Sequence, residues 1–162
     1  VERNADVVYL ASYAPLFARL GYTQWSPDMI WFDGKACYGS PSYYVQQMYA
    51  RNMGDAVLET CAVEKEDGIY YSASLCRETG DIILKVINSR EEDRRMELEL
   101  PEGWERARGL RATILAGEEK NAYNSIGEPE KIAPRERELA DPAGIVLPPL
   151  SFMVLRVGRS EG

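Results

Sequence analysis

The chain has 162 residues, 45% hydrophobic and 28% charged, the balance of a folded domain with a core of its own. Its formal charge of -7, from 26 acidic and 19 basic residues, argues against nucleic acid as a partner, because that surface needs a clustered basic face. With no histidine, and three cysteines without CxxC spacing, the chain holds no Ser-His-Asp triad, Cys-His pair, His-ligated metal, zinc ribbon or thioredoxin-like motif.

The first expected element is a helix over residues 4–18. Asn4 stands as an N-cap, Asp6 lies in the first turn where the helix dipole favours an anion, and Val7, Leu10, Ala11, Ala14 and Phe17 recur at helical spacing. Pro15 removes a backbone donor and should kink or end this helix between Tyr13 and Leu16, with Gly21 as a late stop. The run Met29-Ile30-Trp31-Phe32-Asp33 is apolar on both faces, as in a parallel strand covered by helices on both sides. A second helix is punctuated by Ser40 as N-cap, Pro41 at the first helical position and Gly54 just past the end. Tyr44, Val45, Met48 and Tyr49 form its apolar stripe.

After Gly54 the period changes from helical to alternating. Residues 57–63, 69–76, 82–87, 96–100, 110–115 and 152–157 read as strands at the intervals of an antiparallel sandwich. In Arg95-Met96-Glu97-Leu98-Glu99-Leu100 the alternation predicts that Met96, Leu98 and Leu100 face the core. Glu78-Thr79-Gly80-Asp81 reads as a hairpin turn, and residues 117–143 as a long polar excursion without strand or helix. The charge run at residues 91–95 reads as a solvated face. Cys37, Cys61 and Cys76 read as buried or half-buried free thiols. No apolar run approaches the ~20 residues of a membrane span, so no membrane is expected. The chain opens on Val1 without a visible signal peptide, and is expected to be a piece of a longer protein. The change of period near residues 52–56 divides it into residues 1–55 and residues 56–162.

Three blocks carry a family resemblance: ERNADVVYLASYAPLF, YTQWSPDMIWFD and SPSYYVQQMYARNMGD. Together they resemble the C-terminal portion of the family 51 glycoside hydrolases, the α-L-arabinofuranosidases. The later NAYNSIGEPEKIAP and LPPLSFMVLRV are similar to the final β-domain of those enzymes. The resemblance implies a mainly β fold, an antiparallel β-sandwich preceded by a helix-strand-helix remnant of a (β/α)8 barrel. Residues 1–55 would then be the terminal part of the catalytic barrel and residues 56–162 the C-terminal sandwich. The implied enzyme is a retaining glycosidase that removes terminal arabinofuranosyl groups from arabinan or arabinoxylan. It uses two glutamates whose carboxyl groups lie about 5 to 5.5 Å apart.

In the family both glutamates precede the segment that begins here, and no glutamate of this chain matches either motif. The expectation is therefore no catalytic residue, no metal and no cofactor in this chain. On the barrel model the C-terminal end of the strand at residues 29–33 faces the active site. The loop that Asp33 opens is the substrate-loop candidate, with Asp33, Lys35 and Tyr38 as its members; Asp28 and Trp25 fall toward the opposite end. Some family members carry a polar Gln near the position of Pro15, and this sequence has YAPLF there. The sandwich is expected to act as a structural brace. An alternative is a carbohydrate-binding module, but beyond residue 56 Trp104, Tyr70, Tyr71 and Tyr123 form no row of aromatics. The implied partner is an arabinose-containing polysaccharide or oligosaccharide. A homo-oligomer is also expected, on the ground that Val7, Leu10, Tyr44, Met48 and Tyr49 would be left uncovered.

Overall fold

A computed structural model describes residues 1–60, 62, 67–104 and 109–159. The chain starts with a 3-10 turn at Glu2–Asn4 and has no further regular element until strand β1 (Phe17–Arg19). Strand β2 (Ile30–Phe32) runs parallel to β1 and antiparallel to β3 (Cys37–Gly39), and helix α1 (Pro41–Arg51) follows. The later strands are β4 (Ala56–Leu58), β5 (Ile69–Leu75), β6 (Ile82–Asn88), β7 (Arg94–Met96), β8 (Leu110–Ala116), β9 (Arg135–Leu139), β10 (Ile145–Leu147) and β11 (Ser151–Val157). Six of them form an antiparallel sheet in the order β4-β5-β6-β11-β8-β9, and β7 pairs with β10 in a separate ribbon.

The large sheet is covered on both faces. Along β6, Ile82, Leu84 and Val86 point to one side, where Ala112, Met153, Leu155 and Val157 meet Ile145 and Leu147 of the ribbon. Met96, Leu98, Leu100 and Trp104 close that side, so the expected inward register of the first three is observed. The expected strand over residues 96–100 is shorter and earlier, however, because only Arg94–Met96 find a partner in β10. On the other side Ile83, Leu115, Phe152 and Val154 pack against Met48 of α1 and Ile132 of the excursion. Double coverage explains why β6 and β11 read as near-continuous apolar runs. By contrast β2, expected to be buried on both sides, is half-buried.

Helix α1 begins as expected: the Ser40 side chain accepts from the Tyr43 amide, and Pro41 occupies the first turn. Its end differs. Asn52 is the C-cap, and its side chain donates to the Met48 carbonyl at 2.8 Å. Gly54 is glycine because a Cβ there would lie 2.5 Å from Ser74 Oγ and 2.9 Å from the Leu75 carbonyl oxygen. The expected helix over residues 4–18 does not form. Only one turn closes, with Val7 N and Val8 N donating to the Asn4 carbonyl. Tyr9 and Leu10 are 89% and 88% exposed. A helix draws most of its stability from a packed apolar face, and among the described residues Val7, Tyr9 and Leu10 are left exposed while Pro15 withholds a donor.

The hairpin between β5 and β6 turns where expected, with Gly80 at φ 74. The excursion over residues 117–143 does contain a strand, β9, which pairs with β8 as an edge. Its alternating charges concealed it. The strand expected over residues 57–63 is limited to Ala56–Leu58; Cys61 and Val63 lie outside the described residues. Cys76 is a half-buried free thiol, but Cys37 is exposed.

Candidate functional site

The loop from β2 to β3 is built around Asp33. Its Oδ1 accepts the amides of Lys35 at 2.7 Å and Ala36 at 2.8 Å, while its own amide donates to the Ala36 carbonyl at 3.0 Å. These amides favour the ionised form, holding the carboxyl below its ordinary value. Asp33 therefore shapes the turn, and Lys35 extends from it into solvent. Tyr38 lies farther along, on β3 opposite Trp31. Burial, and then the neighbouring Tyr123, pushes its hydroxyl up. The three expected residues thus divide: Asp33 and Lys35 share a turn, and Tyr38 belongs to a second neighbourhood.

That second neighbourhood centres on Asn124, which the sequence did not single out. Asn124 is buried, and its Nδ2 donates to the carbonyls of Gly39 and Ile132, each at 2.9 Å. Its Oδ1 accepts the Ile132 amide at 2.7 Å. One side chain thereby closes the excursion upon itself and fastens it to the end of β3. At the same point a Cβ on Gly39 would lie 2.4 Å from the Tyr43 ring, so that ring, at the start of α1, packs directly on the Gly39 backbone of β3. The available signal was NAYNSIGEPEKIAP as a whole block. No periodicity marks an asparagine that binds across 85 residues of sequence.

Trp25 is exposed. Trp104 packs against the core, donates its indole N–H to the Gly80 carbonyl at 3.0 Å and carries the Arg159 guanidinium over its ring. Asp28 is buried at the start of β2, away from the Asp33 turn, and its Oδ2 has no hydrogen-bond partner among the described residues. Within the charge run, Arg90 and Arg94 both pair with Glu92 at the surface and lower its pKa, Arg94 contributing more.

A buried junction joins the 3-10 turn, the end of α1 and the large sheet. Lys85 of β6 points to the α1 side and pairs with Glu2, while its Nζ also donates to the Asn52 carbonyl at 2.6 Å beneath the Tyr49 ring. The Ser72 hydroxyl donates to the other oxygen of Glu2. Nearby, Arg156 donates to Asn52 Oδ1 and to Asp81, each at 2.9 Å. Met48 is 3% exposed and Tyr49 stacks on Phe152 at 5.0 Å. The apolar stripe of α1, expected to be uncovered, is therefore seated on the sheet.

Among the described residues, no group of three His, Cys, Asp or Glu side chains is placed to hold a metal ion. None of their helices is long and apolar enough to cross a membrane.

Residues 1–151 match the model of the alpha-L-arabinofuranosidase C-terminal domain. Alpha-L-arabinofuranosidase 1 of Arabidopsis thaliana is 34% identical over 161 residues, covering 94% of this chain and 24% of that protein. The extracellular exo-alpha-L-arabinofuranosidase of Streptomyces chartreusis is 49% identical over 67 residues, 41% of this chain and 8% of its own. Among solved structures, the arabinose-bound α-L-arabinofuranosidase MgGH51 superposes with a TM-score of 0.80 at 24% identity, over 98% of this chain and 25% of that one. The Thermotoga maritima α-L-arabinofuranosidase, in its arabinose complex, gives 0.71 at 16% identity over 81% and 31%. Both share the fold of their C-terminal β-sandwich domain with this chain. The chain thus spans about a quarter of the Arabidopsis relative that it matches.

Proposed function

The chain belongs to the α-L-arabinofuranosidase C-terminal domain family, and on that premise we propose that it is the terminal part of a retaining α-L-arabinofuranosidase. The whole enzyme removes terminal arabinofuranosyl groups from arabinan or arabinoxylan, and this part braces it without reacting atoms of its own. Residues 1–55 complete the catalytic barrel and residues 56–162 form the sandwich. Asp33, Lys35 and Tyr38 border the sugar site, with the Asp33 turn holding the loop in shape. The whole enzyme self-associates, and the exposed Tyr9, Leu10, Phe17 and Trp25 offer a surface for a covering body.

The observation that carries the brace reading is the Asn124 clamp. A side chain from the sandwich excursion holds the carbonyl of Gly39, the residue that ends β3 and leads into α1. A binding module would instead present aromatics in a row, and Trp104 is engaged with the core and Gly80.

Two assays test it. The 162-residue chain should release nothing above a buffer blank from an aryl α-L-arabinofuranoside, since retention needs a nucleophile and an acid/base held together. In the full-length enzyme, Asn124→Ala should lower thermal stability and kcat while leaving KM within about twofold, because positioning is lost and uniform binding is not. A raised KM at unchanged stability would refute the brace and favour direct sugar binding by the sandwich.

A further inference from the structure

Between α1 and strands β8 and β9 lies an open cleft of about 670 Å³, within the size range of small-ligand sites. Four arginines line it, Arg51 in the last turn of α1, Arg111 on β8, Arg135 at the start of β9 and Arg156 on β11, together with the carboxylates of Glu130 and Glu136. The ladder sets Arg111 directly opposite Arg156, and like charges so placed repel. Arg156 is satisfied by Asn52 and Asp81. Among the described residues, Arg51 and Arg111 have no ion-pair partner within 4.0 Å, although Glu138 is opposite Arg111 in β9. Two guanidinium groups without an ion-pair partner among the described residues, Arg51 and Arg111, thus line the cleft, while its acidic residues, Glu130 and Glu136, come from β9 and the segment before it.

The other end is different in kind. Tyr43 and Tyr44 stand edge to face at the start of α1, with centroids 5.3 Å apart, and both line the cleft with the Gln47 amide. Seven to eight helical residues separate these rings from Arg51, which is about 11 Å along the axis. A lone small anion would use only the arginine end. A ligand of two linked rings, with a carboxylate on one, would span both.

We propose that this cleft binds a carboxylate-bearing saccharide, a uronate unit held by Arg51 and Arg111 with its neighbouring sugar against Tyr43 and Tyr44. Arginine's planar donors match a carboxylate in a bidentate fashion. A bound carboxylate also relieves the repulsion between Arg111 and Arg156. The choice of a sugar as carrier rests on the function proposed above; the anion-binding end does not.

The test is a calorimetric titration of the 162-residue chain at low ionic strength with digalacturonate, with neutral galactobiose and with sodium sulfate. Digalacturonate should saturate one site, the neutral disaccharide should bind at least tenfold more weakly, and added salt should weaken the acidic ligand. The double variant Arg51→Ala, Arg111→Ala, with its fold checked by circular dichroism, should weaken digalacturonate about tenfold or more. Arg137→Ala changes the charge equally per residue on the opposite face of β9 and should leave binding unchanged. No saturable binding, or equal binding by the double variant, overturns the site. Sulfate binding as tightly as digalacturonate overturns the saccharide and leaves only an anion site. Aryl arabinofuranoside hydrolysis by the full-length enzyme reads the proposed function separately, and the double variant should not change it.

Discussion

Removing the carboxylate of Glu2 should cost far more than its place in a three-residue turn at the chain's start implies. Its partner, Lys85, has a side chain only 1% exposed, whereas that of Glu2 is 22% exposed. Glu2→Ala leaves the buried ammonium with the Asn52 carbonyl and the Tyr49 face alone. Stripping one partner from a fully buried pair costs about 3–5 kcal/mol. Glu2 is partly wet and Lys85 keeps one strong acceptor, so the loss should be about 2–3 kcal/mol, near the worth of a hydrogen bond to a charged group. For a chain of this size that lowers the melting temperature by roughly 4–12 °C. Lys85→Met removes the buried charge while keeping the apolar stem, and Glu2 can then turn to water, so it should cost about 1–2 kcal/mol, mainly from the orphaned Asn52 carbonyl. Urea denaturation of the two single variants and the double variant should give a coupling energy of at least about 1 kcal/mol. If Glu2→Ala stayed within about 0.5 kcal/mol of the parent, the 3-10 turn would not be docked on the sheet, and the junction would join only α1 and β6.

Asn124→Asp should be nearly as damaging as Asn124→Ala, at about 2–3 kcal/mol, because a carboxylate cannot donate to the Gly39 and Ile132 carbonyls. In Asn124→Ala, hydrogen exchange should show lost protection at the Ile132 amide, which donates to Asn124 Oδ1; retained protection would mean that the clamp is not what holds the excursion. Gly39→Ala should destabilise by about 1–3 kcal/mol through collision with the Tyr43 ring, and Tyr43→Ala should recover part of that loss in a thermal melt, which additive losses would contradict. The Asp33 carboxyl is depressed by the Lys35 and Ala36 amides. The turn's added stability is therefore fully present above the ordinary carboxylate value of 3.8 and is lost as pH falls through the lower folded value. Amide shifts of Lys35 and Ala36 followed between about pH 5 and 2 should titrate together below that value, and Asp33→Asn should abolish the titration.

Local chemistry was sufficient for several parts of this chain. Ser40-Pro41 marks the start of α1 because an N-cap oxygen and a proline satisfy the helix terminus wherever it lies. Gly80 marks the β5–β6 turn through its positive φ, and the alternation from Arg95 to Leu100 placed Met96, Leu98 and Leu100 inward even where no strand continues. The three aromatic-rich blocks were enough to reach the family. What the sequence could not decide depends on neighbours distant along the chain. Residues 4–18 have helical spacing, but their apolar side chains Val7 and Leu10 stay exposed among the described residues, so the period alone misled. β9 was hidden because an edge strand needs only backbone pairing with β8, and its charged side chains carry no hydrophobic period. β11 lies between β6 and β8 at the centre of the sheet although it comes last in the sequence. Lys85, Glu2 and Asn52 read as three unrelated polar residues until the sheet and α1 close around them. Burial then turns an ordinary lysine into the point where the turn, helix and sandwich meet, because an ammonium removed from water must find its charge and acceptors within the protein.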